Sequence, residues 1–80
     1  MDPFLGDIVL FSFDFVPVYW MACEGQTLQI STNQALFTLL GTSFGGDGIS
    51  NFKLPDMRNS VPIVGMHYCI SLQGIYPNRN

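Results

Sequence analysis

Positive charge is scarce in this chain: Lys53, Arg58 and Arg79 stand against six carboxylates in 80 residues, for a net charge of −3. Three scattered cations cannot neutralise a phosphate backbone, so nucleic-acid binding is excluded as an expectation. Charged residues of either sign make up 11%, against about 25% in ordinary globular domains. No apolar run approaches the ~18 residues of a membrane span. The N-terminal stretch MDPFLGD has neither a basic segment nor a small-residue cleavage site, so no signal peptide is visible. A protein of this sequence that works outside a cell is expected to leave by lysis, by dedicated export, or after loss of a leader absent from the sequence. Cysteine is limited to Cys23 and Cys69, which admit one candidate disulfide or two buried thiols, and both readings stay open.

Apolar residues, by contrast, are abundant, at 48% of the chain. Eighty residues form a single domain spanning 1–80, and a chain of that mass buries only about 60% of its unfolded surface. A small interior cannot hide so many apolar side chains. The surplus is expected on the surface, where a large apolar patch marks an interaction site, and self-association follows. Phe11, Phe13, Phe15, Tyr19 and Trp20 cluster early. With so little charge around them, subunit contact or core packing is favoured over sugar or base stacking.

The chain reads as strand, strand, helix, glycine loop, strand. Residues 8–15 alternate, with Val9, Phe11, Phe13 and Phe15 on one face. Pro17 restricts the next segment to a turn or edge, and residues 18–23 form a second strand closed at Glu24-Gly25. Residues 26–30 are a short extended piece. Ser31 and Gln34 match a capping box that starts a helix, Gly41 stops it, and its apolar C-terminal half predicts a buried helix. Residues 42–51 form a glycine loop, and 52–54 an extended anchor ended by Pro55. The last strand alternates most clearly: Met66, Tyr68, Ile70 and Leu72 form an apolar face, opposite His67, Cys69, Ser71 and Gln73.

Chemistry-bearing patterns are weak. Gly45, Gly46, Asp47 and Gly48 lack the lysine and Ser/Thr of a phosphate loop and the several carboxylates of a calcium loop, so a structural loop is expected, with Asp47 bonding nearby amides. His67 and Cys69 share a strand face, but no orienting third group accompanies them, and two thiols with one imidazole fall short of a zinc site. Asp56 and Arg58, at i and i+2 in an extended segment, are expected to point apart and bond to loop backbone or a neighbouring subunit. No carboxylate pair suits glycoside hydrolysis. No catalytic, metal or cofactor site is expected.

A series of motifs nevertheless carries a resemblance. PFLG at 3–6, FVP at 15–17, WMACEGQ at 20–26, NQALF at 33–37, LLGT at 39–42, GGDG at 45–48, LPDMR at 54–58 and YCISLQGIYP at 68–77 occur in an order that resembles the phage tail-collar family, which includes the microcystin-dependent proteins. That resemblance implies a small α+β collar-like domain of three to four strands, one short buried helix and a glycine-rich loop, the last strand coming from beyond a variable insert. It implies a structural, non-enzymatic role, as in trimeric short tail fibres. This chain departs from the pattern in three places. Val18 and Tyr19 replace a small or charged residue and a glycine before the tryptophan, Asn59 replaces a glycine, and the insert is gone, leaving only Asn59, Ser60, Val61 and Pro62 near the junction.

A collar without its insert should be a building block. The expectation is therefore a self-assembling structural subunit of an extracellular or phage-tail-like fibre, either a trimer or a head-to-tail filament. Val9, Phe11, Phe13, Phe15, Trp20, Met66, Tyr68, Ile70 and Leu72 would form its interface, the C-terminal strand completing a neighbour's sheet. The alternative is an adhesin or host-interaction module that binds a cell-surface ligand through the aromatic cluster or the GGDG loop.

Overall fold

A computed structural model describes residues 3–77; Arg79 and the Met1-Asp2 start of the N-terminal stretch lie outside the described residues. The strands are β1 (Ile8–Phe11), β2 (Trp20–Ala22), β3 (Thr27–Gln29), β4 (Asn51–Lys53) and β5 (His67–Ser71), with one helix, α1 (Gln34–Leu40). Short 3₁₀ turns occupy Ile30–Thr32 and Arg58–Ser60. The fold is a small α+β domain with five strands in two sheets, slightly more than the three to four expected. β3 lies within the extended piece expected at residues 26–30 and pairs antiparallel with β4, which overlaps the anchor expected at 52–54.

The larger sheet has the order β1-β5-β2, with both pairings antiparallel. β5 is thus central, although it is last in the chain. Residues directly opposite in such pairs share a face. Ile8, Leu10 and Met21 therefore lie with Tyr68 and Ile70, while Val9, Phe11, Trp20 and Ala22 lie with His67, Cys69 and Ser71. The first face packs on the core, where Ile70 joins Leu5, Cys23, Leu36, Phe52 and Leu54. A parallel bridge between Phe4 and Ile75 ties the two chain ends together. Gly74 allows that approach, since a Cβ there would overlap the Pro3 carbonyl oxygen.

Four elements differ from expectation. β1 ends at Phe11 rather than residue 15, because Phe11 pairs with His67, the first residue of β5, and no partner remains beyond it. β2 begins at Trp20 because residues 17–20 form a turn closed by the Trp20 amide donating to the Pro17 carbonyl at 3.1 Å. Tyr19 takes φ 68° there, the third-residue angle of a type II turn. This is the glycine position of the family pattern, filled by a residue that finds the conformation costly. The capping box does not form. Ser31 sits in the 3₁₀ turn, Asn33 precedes the helix, and its side-chain amide donates to the Gln29 carbonyl at 2.9 Å. Finally, α1 is half-buried, with only Leu36 fully buried; its one-turn neighbours Leu39 and Leu40 lean on the core while Ala35 and Thr38 face out. Gly41 ends the helix as expected, at φ 57°, with its amide donating to the Phe37 carbonyl.

Two substitutions probe this arrangement in urea denaturation. Ile70→Ala, which empties a fully buried site between both sheet partners, is expected to cost about 2–5 kcal/mol. Tyr19→Gly is expected to raise stability by up to about 1 kcal/mol, since relief of positive-φ strain exceeds the added chain entropy. A loss of stability in Tyr19→Gly would contradict the strained turn.

Candidate functional site

The face of the β1-β5-β2 sheet turned away from the core carries a row of aromatic rings. Trp20 and Phe11 come from the two outer strands and meet edge to face across β5, with centroids 5.2 Å apart. Phe13 follows at 5.0 Å from Phe11, and Phe15 stacks on Phe13 at 4.4 Å. The row grows more exposed along its length, with Phe11 and Trp20 half-buried and Phe15 63% exposed. Val9, on the same face in the register, adds to this apolar surface, and Val16 and Val18 in the following loop are exposed as well. Such edge-to-face and offset contacts orient the rings without hiding them from a partner.

The nine residues expected in one interface do not share one surface. Val9, Phe11, Phe13, Phe15 and Trp20 belong to the aromatic surface. Tyr68, Ile70 and Leu72 belong to the core side, with Ile70 fully buried. Met66 lines a hollow of about 250 Å³ with Met57, Val61 and Arg58. The apolar face of β5 finds its partner in the chain's own helix and β4, and both edges of β5 are bonded to β1 and β2. The face expected to be polar is covered as well. Cys69 is buried, flanked by Val9 and Ala22 in the register on the face that also carries Phe11 and Trp20. Ser71 is buried too, its hydroxyl donating to the Gln73 carbonyl.

The candidate Cys23–Cys69 disulfide is not formed; both residues are free, buried thiols. Cys69 stands opposite Ala22, and Cys23, one residue on, belongs to the core cluster on the other side of the sheet. Burial pushes the Cys23 thiol up to about 11, with a further contribution from Cys69. Burial also raises Cys69, assisted by Glu24. Both are held protonated and unreactive at neutral pH.

The GGDG loop folds around Asp47. Its Oδ1 accepts the amides of Ile49, Ser50 and Asn51 at 2.8, 2.9 and 3.1 Å, and its Oδ2 accepts the Ser50 hydroxyl at 3.1 Å. The Ile49, Ser50 and Asn51 amides, in that order, hold the carboxyl down at about 2. Gly46 makes the tight path achievable, because a Cβ there would stand 2.5 Å from the Phe52 Cα. Asp56 and Arg58 depart from expectation. The chain turns into the Arg58–Ser60 3₁₀ segment instead of staying extended, so the guanidinium folds back in a two-pronged pair. Nε donates to Oδ1 at 2.9 Å and Nη2 to Oδ2 at 2.6 Å. These bonds hold the Asp56 carboxyl at about 2. Among the described residues no cluster of His, Cys, Asp and Glu could hold a metal ion, and no helix is long and apolar enough to cross a membrane.

One surface escaped sequence reasoning. Residues 63–66, between the junction expected at 59–62 and the last strand expected from Met66, form an apolar turn closed by the Met66 amide donating to the Ile63 carbonyl at 3.2 Å. Val64 at its corner is 98% exposed. The signal was four residues, Val61 to Val64, without a charge, between the Arg58–Ser60 turn and Gly65.

Asp47 fixes the acid behaviour of its loop. Its folded value lies below the ordinary ~3.9, so its contribution is complete above that value and is lost as pH falls through about 2. In an acid titration by NMR, the Ile49, Ser50 and Asn51 amides should hold their shifts to pH 3 and move together only near pH 2; movement centred near pH 4 would contradict the geometry. Cys23 and Cys69 should react with a thiol reagent at least roughly ten times more slowly in the native state than in denaturant. Rapid native labelling of either would contradict their burial.

No curated protein matches the chain significantly. The family model described as Phage Tail Collar Domain matches residues 6–62, from the approach to β1 through the Arg58–Ser60 turn. β5 lies beyond that match, consistent with a last strand drawn from the far side of a variable region. Because the match covers more than half of the sequence, in the order of elements described above, the chain belongs to the phage tail collar domain family.

Proposed function

We propose that the protein is a structural subunit that self-assembles into a fibre or filament, extracellular or part of a phage-tail-like particle. The family is one of structural tail components. The row Trp20–Phe11–Phe13–Phe15 carries the proposal. Aromatic side chains each bury about 150–250 Å² when covered, and a contiguous row on the outside of a sheet is a contact surface lacking its partner. A non-enzymatic role accords with the family and with thiols kept protonated by burial.

Phe13 and Phe15 lie outside the strands and the core, so the Phe13→Asp/Phe15→Asp double variant should keep the fold, as read by circular dichroism. Wild-type protein at micromolar concentration should form fibres in negative stain and scatter light as a large assembly, whereas the variant should be monomeric. A monodisperse wild-type monomer, or a variant that assembles as well as wild type, would overturn the reading.

A further inference from the structure

A hollow of about 380 Å³ opens at the Ser71 end of β5, lined by Val18, Tyr19 and Trp20 from one stretch of chain and by Pro3, Gln73 and Ile75 from the chain ends. Backbone bonds fix both sets of residues. The Trp20 amide closes the 17–20 turn on the Pro17 carbonyl, and the Leu72 amide donates to the Tyr19 carbonyl at 2.8 Å. The Ile75 amide donates to the Pro3 carbonyl at 3.2 Å. A hollow held in this way needs little ordering to accept a ligand, and its volume is that of a small-molecule site, about 300–1,000 Å³.

Its chemistry narrows the ligand. No lining residue is charged, so an ionic ligand would give up its hydration with no counter-charge in return. The lining is not wholly apolar either. Among the described residues the Tyr19 hydroxyl, the Trp20 Nε1 and the Gln73 side-chain amide make no hydrogen bond, while the Ser71 hydroxyl is already spent on the Gln73 carbonyl. A purely apolar ligand would cover these groups without replacing their bonds to water. Tyr19 and Gln73 can each both donate and accept, as a ligand hydroxyl does. The phenylalanines of the aromatic row offer no such groups. Phe11 stands opposite His67 and Trp20 opposite Ser71, so the row and the hollow approach Trp20 from opposite ends of β5.

We propose that this hollow binds a neutral saccharide, one pyranose ring packed against Tyr19 and Trp20 with its hydroxyls bonded to the Gln73 amide and the Tyr19 hydroxyl. A pyranose meets each requirement: it carries no charge, its C–H face is apolar, and its rim hydroxyls both donate and accept. Aromatic residues with a polar tip suit an occupant that is apolar on one side and wet on the other. The site goes beyond the self-assembly reading and does not depend on it.

Trp20 is the chain's single tryptophan, so its fluorescence reports on the hollow directly. The protein is titrated with glucose, galactose, mannose and their methyl glycosides to ~100 mM, enough to saturate a millimolar site. Cyclohexanol serves as the apolar probe and glucuronate as the charged one. At least one sugar should give a saturable change that neither of those probes matches. Preference for a methyl glycoside supports a glycan terminus as the source, and preference for a free hexose supports a free sugar. Tyr19→Gly, which suits the turn, and Gln73→Ala should stay folded by circular dichroism and bind at least about tenfold more weakly, the worth of one hydrogen bond. The Phe13→Asp/Phe15→Asp variant should bind as wild type does. The proposal is overturned if no sugar saturates, if cyclohexanol or glucuronate binds as tightly as the best sugar, or if Tyr19→Gly and Gln73→Ala bind like wild type. A wild type that stays monomeric yet binds the sugar overturns the assembly reading and upholds this site.

Discussion

The pairing of β5 between β1 and β2 is the constraint on which the rest of the structure depends. β1 and β2 share no ladder of their own; each is aligned only through His67–Ser71. Backbone bonds continue the alignment past the strand ends, with the Ser71 amide donating to Asp7, the Leu72 amide to Tyr19 and the Cys23 amide to Tyr68. Ile70, on the inner face of this strand, plugs the core from which Leu36, Phe52 and Leu54 also project. The residues matched by the family model end at Pro62, so the sheet is completed by a strand from beyond the junction. A short junction must turn the chain sharply, and the Arg58–Ser60 and 63–66 turns do so, leaving Ile63 and Val64 in the open.

The same constraint divides the apolar residues between two tasks. Those opposite Tyr68 and Ile70 complete the monomer's interior. Those opposite His67, Cys69 and Ser71 make an outer surface whose near end, Phe11 and Trp20, is half-buried and which continues beyond the strand into Phe13 and Phe15, which are open. A domain this small keeps a thin core, and the apolar surplus in its composition is visible as that surface. The GGDG loop and the Asp56–Arg58 pair use their polar groups internally, on their own backbone and on each other.

Much of this was legible in the sequence where local rules decide. The helix stop at Gly41, the structural loop around Asp47 and the extent of the last strand all follow from glycine placement and period-two alternation. Features set by tertiary position were not legible. Alternation in residues 66–72 shows one apolar face but cannot reveal that a central strand is covered on both, which is why Cys69 and Ser71 are buried and why the nine interface residues are divided among the aromatic surface, the core side and the Met66 hollow. Ser31 and Gln34 have capping-box spacing, yet a preceding 3₁₀ turn moved the helix start to Gln34. Asp56 and Arg58 pair because the chain curls at Met57, which the extended reading of LPDMR did not contain. The positive φ of Tyr19 was foreshadowed only by its standing where the family pattern has glycine.

The central claim is that β5 completes its own chain's sheet and leaves the aromatic row to neighbouring copies. Electron cryomicroscopy of the assembled protein tests it most directly. The account predicts β5 threaded between β1 and β2 of the same chain, with Phe13, Phe15 and Trp20 covered by an adjacent subunit. A β5 paired into a neighbour's sheet, or an aromatic row facing solvent in the assembly, would contradict it.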